Sequence, residues 1–260
     1  MVECVVRLNR MRFYFKPDQA HDGVVILDKK ESHHAISVLR LGAGDVVDLF
    51  DGLGNQFRGV VAGRENGRLS VMLDKNAASA PALKTQISLA ISVIKPEGME
   101  LLIQKACELG VFEIVPILTE RSIVKLSQER WESKLDRWRK IALASCKQCG
   151  QSKIPDIKPI AKYGSFISDQ ARSYGRVLIP TLAVKGKTLV EALRKQPEPQ
   201  SVLALVGPEG DFNREEVDLA VSCGAVPVGL GSLVLRSETA AIYLLSILNF
   251  FYRECSNEKS

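Results

Sequence analysis

Residues 202–217 read VLALVGPEGDFNREEV, and the fold turns on this stretch. Val202–Val206 is a short apolar run without alternation, the pattern of a strand buried on both faces of a sheet. Gly207-Pro208-Glu209-Gly210 interrupts it, and two glycines around a proline let backbone amides approach a ligand closely. Asn213 is positioned to cap the next helix, with Glu216 completing a capping box. A second stretch repeats the design. Ala225–Leu230 is a strand running into Gly231-Ser-Leu-Val-Leu235-Arg236, and Ser237 is the expected N-cap of a C-terminal helix. In open parallel sheets ligands sit beyond the carboxyl ends of the strands, so these two loops are the candidate site. Taken singly, each is also an ordinary tight turn between strand and helix.

The same alternation extends upstream. Ile87–Ile94 and Phe112–Ile117 read as buried strands around a helix at Met99–Leu109, with Gly110 as its stop. A long helix, about Gln128 to Gln148, places Trp131, Leu135, Trp138 and Ala142 on one stripe, and Arg176–Ile179 is a further strand. Strands alternating with helices imply a mostly parallel α/β sheet covered on both faces. The first third differs: Met11–Phe15, Gly23–Asp28, Asp45–Phe50 and Gln56–Gly63 are strand-like, with one helix at about Ser32–Leu41. Asn66-Gly67 marks a hairpin, because both turn positions need positive φ. This module reads as a small β-barrel. Asn76–Ala82, small residues with one proline, is the linker, giving domains at 1–76 and 84–260.

Composition narrows the function classes. Of 260 residues, 46% are hydrophobic and 25% charged, which excludes a disordered or collagen-like chain. No stretch approaches the roughly 18 apolar residues of a membrane span, and MVECVVRLNR at the start lacks a signal-peptide core. Six cysteines are too few for a disulfide scaffold, which favours a cytoplasmic setting. Cys146-Lys-Gln-Cys149 has no second ligand pair, and the three histidines all precede residue 35, so no metal site is expected. The net charge is +5, yet Arg121–Lys162 alone holds 11 Lys+Arg against 4 Asp+Glu. That concentration fits a phosphate-backbone footprint as well as a solvated helix face.

Neither loop is a P-loop, and the G-x-G pairs at Gly42, Gly52 and Gly229 lack the third glycine of a dinucleotide fingerprint. A nucleoside-type ligand would therefore be held chiefly by backbone groups. With Leu205–Val217 and Leu230–Ile242 read together, the chain resembles the SPOUT methyltransferases, and within them the ribosomal small subunit methyltransferase E family (RsmE). The similarity continues through Lys95, Gln104–Val111, Thr119-Glu-Arg121-Ser122 and Gln148-Cys-Gly150. It also includes Met11-Arg12-Phe-Tyr-Phe and His33–Arg40 with Gly44-Asp45, and covers Met11 to Phe251. Residues 1–10 precede the family's usual start, which makes Met11 a candidate initiator. Ala144–Gln151 departs from the family's Glu-Ala-Ala-Glu-Gln-Ser-Gly-Arg, keeping Gln148 and Gly150.

The resemblance implies a C-terminal trefoil knot, an exception to the rule against threaded chains, and an N-terminal PUA-like RNA-binding domain. It implies S-adenosylmethionine held by Gly207, Pro208, Glu209, Gly210, Leu230, Gly231 and Leu235, in a homodimer. The implied reaction is methylation of N3 of a uridine in small-subunit (16S) ribosomal RNA, as RNA or as the small subunit. Arg236 is the candidate to stabilise the charge that develops on the uracil oxygens. Glu238 either accepts the proton, orients Arg236 or complements the dipole of the last helix. Arg12, Arg40 and Arg121 are the expected RNA contacts. The rival readings are a SPOUT ribose 2′-O-methyltransferase on ribosomal or transfer RNA and a non-catalytic ribosome-assembly factor. A dinucleotide-dependent oxidoreductase has little support without the third glycine.

Overall fold

The computed structural model describes residues 11–74, 78–79, 84–122, 128–182, 187–194 and 198–254. Residues 1–10 and, apart from Ala78 and Ser79, the linker expected at Asn76–Ala82 lie outside them. The chain forms two compact units: the residues before Ala82 together with Cys146–Ile154, and Ala82–Ser145 together with Pro155–Ser260. No helix among the described residues is long and apolar enough to cross a membrane.

The first unit contains β1 (Arg12–Tyr14), β2 (Ala20–His21), β3 (Val24–Ile26), α1 (Lys29–His33), β4 (Val46–Phe50), β5 (Asn55–Glu65), β6 (Arg68–Leu73) and β7 (Ala78–Ser79). Its strands form one curled sheet, a half-barrel, in the order β1-β4-β5-β6-β3-β2 with β7 beside β5. The Asn66-Gly67 turn has φ of 48° and 76°, the left-handed pair that a tight hairpin requires. Phe13, Phe15, Leu27, Leu49, Leu69 and Val71 fill the interior. The helix begins earlier than its apolar pattern suggests. Asp28 accepts a hydrogen bond from the Glu31 amide at 2.8 Å, so the cap sits four residues before Ser32. From His34 to Val38 the backbone loosens into a π-helical turn that ends before Arg40, at φ 57°.

Cys146–Ile154 belongs to this unit through main-chain bonds, Ile154 N–H to Gly52 O at 3.0 Å and Gly54 N–H to Ser152 O at 3.2 Å. The Lys147 ammonium donates to both oxygens of the buried Glu31 carboxylate at 2.7 Å.

The second unit contains β8 (Gln86–Ser92), α2 (Pro96–Glu108), β9 (Glu113–Leu118), α3 (Gln128–Cys149, its last turn in the first unit), β10 (Asp156–Ile157), β11 (Ala161–Lys162), α4 (Tyr163–Asp169), β12 (Arg176–Pro180), β13 (Lys187–Thr188), α5 (Leu189–Arg194), β14 (Ser201–Val206), α6 (Arg214–Ser222), β15 (Ala225–Gly229) and α7 (Ser237–Asn249). The sheet order is β10-β9-β8-β14-β12-β15-β13, with β11 also on β9, and every pairing is parallel. β8, β12 and β14 are buried almost throughout, as their unalternating sequences require. After β15 the chain turns back, and α7 packs on α2, β8 and β14. That return carries the chain from β15 back across the sheet order to β14 and β8. Along α3 the stripe Trp131, Leu135, Trp138 and Ala142 is buried, while Arg130, Arg137 and Arg139 are exposed.

Candidate functional site

The strand order explains the site. β14, β12 and β15 are neighbours, so the loops at their carboxyl ends meet. The two loops that the sequence marks come together, and a third, Pro180-Thr181-Leu182 after β12, joins them around one cavity. Gly207, Pro208, Glu209, Leu230, Gly231 and Leu235 all line it. Gly210 does not; its carbonyl accepts a hydrogen bond from the Arg121 guanidinium at 2.6 Å. Leu182, Leu233 and Val234 expose 67%, 75% and 77% of their surfaces around this one cavity, an apolar rim suited to a flat apolar ligand face.

The glycine loop is held from three directions. Gly207 lies so close to Phe212 that an added Cβ would sit 3.0 Å from its ring, and Phe212 is fully buried. Asp211, at φ 60°, accepts from the Leu182 amide at 2.7 Å and the Thr181 hydroxyl at 3.0 Å through Oδ2. Its Oδ1 accepts from the Phe212 amide at 2.8 Å. Sequence reading missed both Asp211 and the third loop.

The capping box of α6 forms as its sequence indicates. The Glu216 amide donates to Asn213 Oδ1 at 2.7 Å, and the Asn213 amide donates to Glu216 Oε2 at 3.0 Å. Glu216 also accepts from the Glu120 amide at 2.9 Å, and the Asn213 side-chain amide donates to the Glu120 carboxylate. The Tyr163 hydroxyl donates to the Glu216 carbonyl, and burial, reinforced by the Glu216 charge, pushes its ionisation above the ordinary range. Asn213→Ala should lower stability by about 1–2 kcal/mol, read as a lower urea midpoint with an unchanged slope.

At the second loop Ser237 is not the cap. Arg236 holds the N-cap position with an extended backbone and no capping side chain, and Ser237 is the first helical residue, buried. The chain enters α7 one residue earlier than a serine cap would place it. Arg236 and Glu238 line a second recess beside the first cavity, with Lys95, Glu97 and Glu209. Glu209 faces both hollows. The Arg236 guanidinium makes no hydrogen bond or ion pair among the described residues. The Glu238 carboxylate lies beside the first turn of α2: a Cβ added at Gly98 would stand in ordinary contact with it, 3.6 Å from Oε2.

The expected RNA contacts fall in three settings. Arg12 stacks 4.4 Å above the Phe50 ring and donates to the Cys146 carbonyl at 3.5 Å, so it is built into its unit. Arg121 braces the glycine loop, whereas Arg40 is exposed.

Comparison with known proteins places this geometry in a family. The profile described as "RNA methyltransferase domain" matches residues 81–249, and that described as "RNA methyltransferase PUA domain" matches residues 27–71. The ribosomal RNA small subunit methyltransferase E of Mesomycoplasma hyopneumoniae is 36% identical over 163 residues, covering 63% of this chain and 69% of that protein. A Legionella pneumophila methyltransferase solved with bound SAM is 32% identical with a TM-score of 0.81, covering 93% of this chain and 97% of that one. The ribosomal RNA small subunit methyltransferase E of Neisseria gonorrhoeae, solved bound to S-adenosyl methionine, is 27% identical with a TM-score of 0.81, covering 94% and 98%. Two converging loops beyond a parallel sheet, a PUA-type first unit and these relatives lead to one assignment: the chain belongs to the ribosomal RNA small subunit methyltransferase E family of RNA methyltransferases.

Proposed function

We propose that the protein methylates N3 of a uridine in small-subunit ribosomal RNA with S-adenosylmethionine as the donor. The observation that supports this most directly is the pairing of hollows, a loop-lined cavity with an apolar rim beside a charged recess, with Glu209 facing both. The first suits the cofactor: loop residues Gly207, Gly229 and Gly231 and exposed Leu182, Leu233 and Val234 line it, and Glu209 and Asp211 are its charged side chains among the described residues. Gly207, Pro208, Leu230, Gly231 and Leu235 would hold it, with Asp211 keeping the loops together. When bound, S-adenosylmethionine supplies an electrophilic methyl group on a sulfonium that leaves as a neutral thioether.

The protein's own residues align and ionise the acceptor. Glu238, which lines the recess beside Arg236, takes the N3 proton. Arg236 stabilises the charge that spreads to the uracil oxygens. Arg40 contacts the RNA backbone, and the ribosomal substrate sets the protein in the cytoplasm. We also propose a homodimer. Tyr243 in the middle of α7 and Phe250 at its C-cap leave large apolar surface exposed, as an interface between two copies would require.

Two measurements test the reading together. Calorimetric titration should detect S-adenosylmethionine binding, and nucleoside mass spectrometry of treated small-subunit RNA should find 3-methyluridine. A ribose-methylated product instead would return the chain to the 2′-O class.

A further inference from the structure

We infer that Lys95 is the second cation of the acceptor site, contacting one uracil oxygen while Arg236 contacts the other. This rests on the reading above that uridine N3 is the acceptor. Lys95 follows β8 as the N-cap residue of α2, and its side chain is 65% exposed. It lines the charged recess with Arg236, bringing two cations from different elements to one hollow. Its ammonium stands 4.0 Å from Glu209 Oε2, on the wall shared with the cofactor cavity. So open a pair is weakly held, and a substrate oxygen can displace the carboxylate.

The chemistry of uracil gives two separate donors a place each. O2 and O4 flank N3, and the methyl group must arrive at N3 itself. An Arg fork spanning an oxygen and N3 would cover the nucleophilic lone pair, whereas one cation at each oxygen stabilises the charge and leaves N3 open. Proton loss places negative charge on both oxygens, and a cation already positioned beside each oxygen stabilises it. Leu101, 44% exposed on the recess wall, offers an aliphatic surface for the ring face. Cytidine is disfavoured, since its N4 amino group would turn a donor toward a cation.

The charged groups facing Lys95 are Glu97 on its own helix, Glu209 on the glycine loop, and Arg236 and Glu238 at the start of α7. Removing the Lys95 charge therefore makes N3 harder to ionise, and the rising limb of the pH–rate profile moves to higher pH.

The test uses the full-length protein and small-subunit RNA or subunits lacking the modification. For wild type, Lys95→Met and Lys95→Arg, it measures kcat, KM and the pH profile, with S-adenosylmethionine affinity by calorimetry. Lys95→Met should keep cofactor affinity within about threefold, lose roughly 10²-fold in kcat near neutral pH, and recover part of the loss as pH rises. Lys95→Arg should keep the wild-type pH profile and at least about a tenth of the rate. Wild-type kcat and pH profile in Lys95→Met overturn the assignment, as does a defect confined to KM. A wild-type protein that binds the cofactor yet methylates no uridine overturns the functional reading and this inference with it.

Discussion

Arg236→Ala is expected to reduce methyl transfer by roughly 10²- to 10³-fold while leaving S-adenosylmethionine affinity within about threefold. Two observations separate these effects. Arg236 lines the charged recess and not the loop-lined cavity, so its loss removes nothing that surrounds the cofactor. Its guanidinium makes no hydrogen bond or ion pair among the described residues, so truncation leaves no partner unsatisfied. Stability should not fall. A cation at a helix N-terminus opposes the macrodipole, at a cost of about 0.3–1 kcal/mol, so the alanine variant should melt at the same temperature or slightly higher. A residue kept where it mildly destabilises its own helix is the pattern of a functional position. Arg236→Lys should recover only part of the rate, because a point charge replaces a planar fork. Single-turnover transfer with saturating cofactor decides the matter: wild-type turnover in the alanine variant would remove Arg236 from the chemistry.

Much of this site was legible because its signals are local. A buried strand, a glycine-proline turn and a capping box lie consecutively in Val202–Val217, and each forms as read. The Asn66-Gly67 hairpin was legible for the same reason, two left-handed residues being a requirement that few sequences meet. The failures lie where a distant partner decides. Pro180-Thr181-Leu182 looks like the end of a core strand, and only the adjacency of β12 to both β14 and β15 makes it a third wall. Asp211 draws no reading of its own, since nothing nearby in sequence announces the Leu182 amide. Arg12 and Arg121 read as RNA contacts, and nothing near them in sequence announces the distant carbonyls to which each donates. The early start of α1 was recoverable: Asp28, three residues before Glu31, is a capping signal outweighed in reading by the apolar pattern downstream.

The largest loss of cofactor affinity is expected from Asp211→Ala. One carboxylate ties two of the three loops: Oδ2 accepts from the Leu182 amide and the Thr181 hydroxyl, while Oδ1 closes the turn on the Phe212 amide. Alanine leaves these donors without their acceptor, at about 1–3 kcal/mol for each that stays buried. It must also adopt φ near 60°, which adds about 1 kcal/mol. The Thr181–Leu182 loop then drifts from Gly207–Glu209, and the cavity loses its shape. Affinity for S-adenosylmethionine should fall by about 30-fold or more, since 2 kcal/mol alone corresponds to that factor, and the urea midpoint should fall with it. Glycine and asparagine separate the two causes. Asp211→Gly relieves the backbone but restores no acceptor, so its affinity should stay as low as alanine's. Asp211→Asn tolerates the left-handed backbone and keeps one acceptor oxygen, so it should fall between alanine and wild type. If glycine instead restored binding, backbone strain and not the latch would govern the site. An alanine variant that bound the cofactor like wild type would mean that the loops hold their places without Asp211.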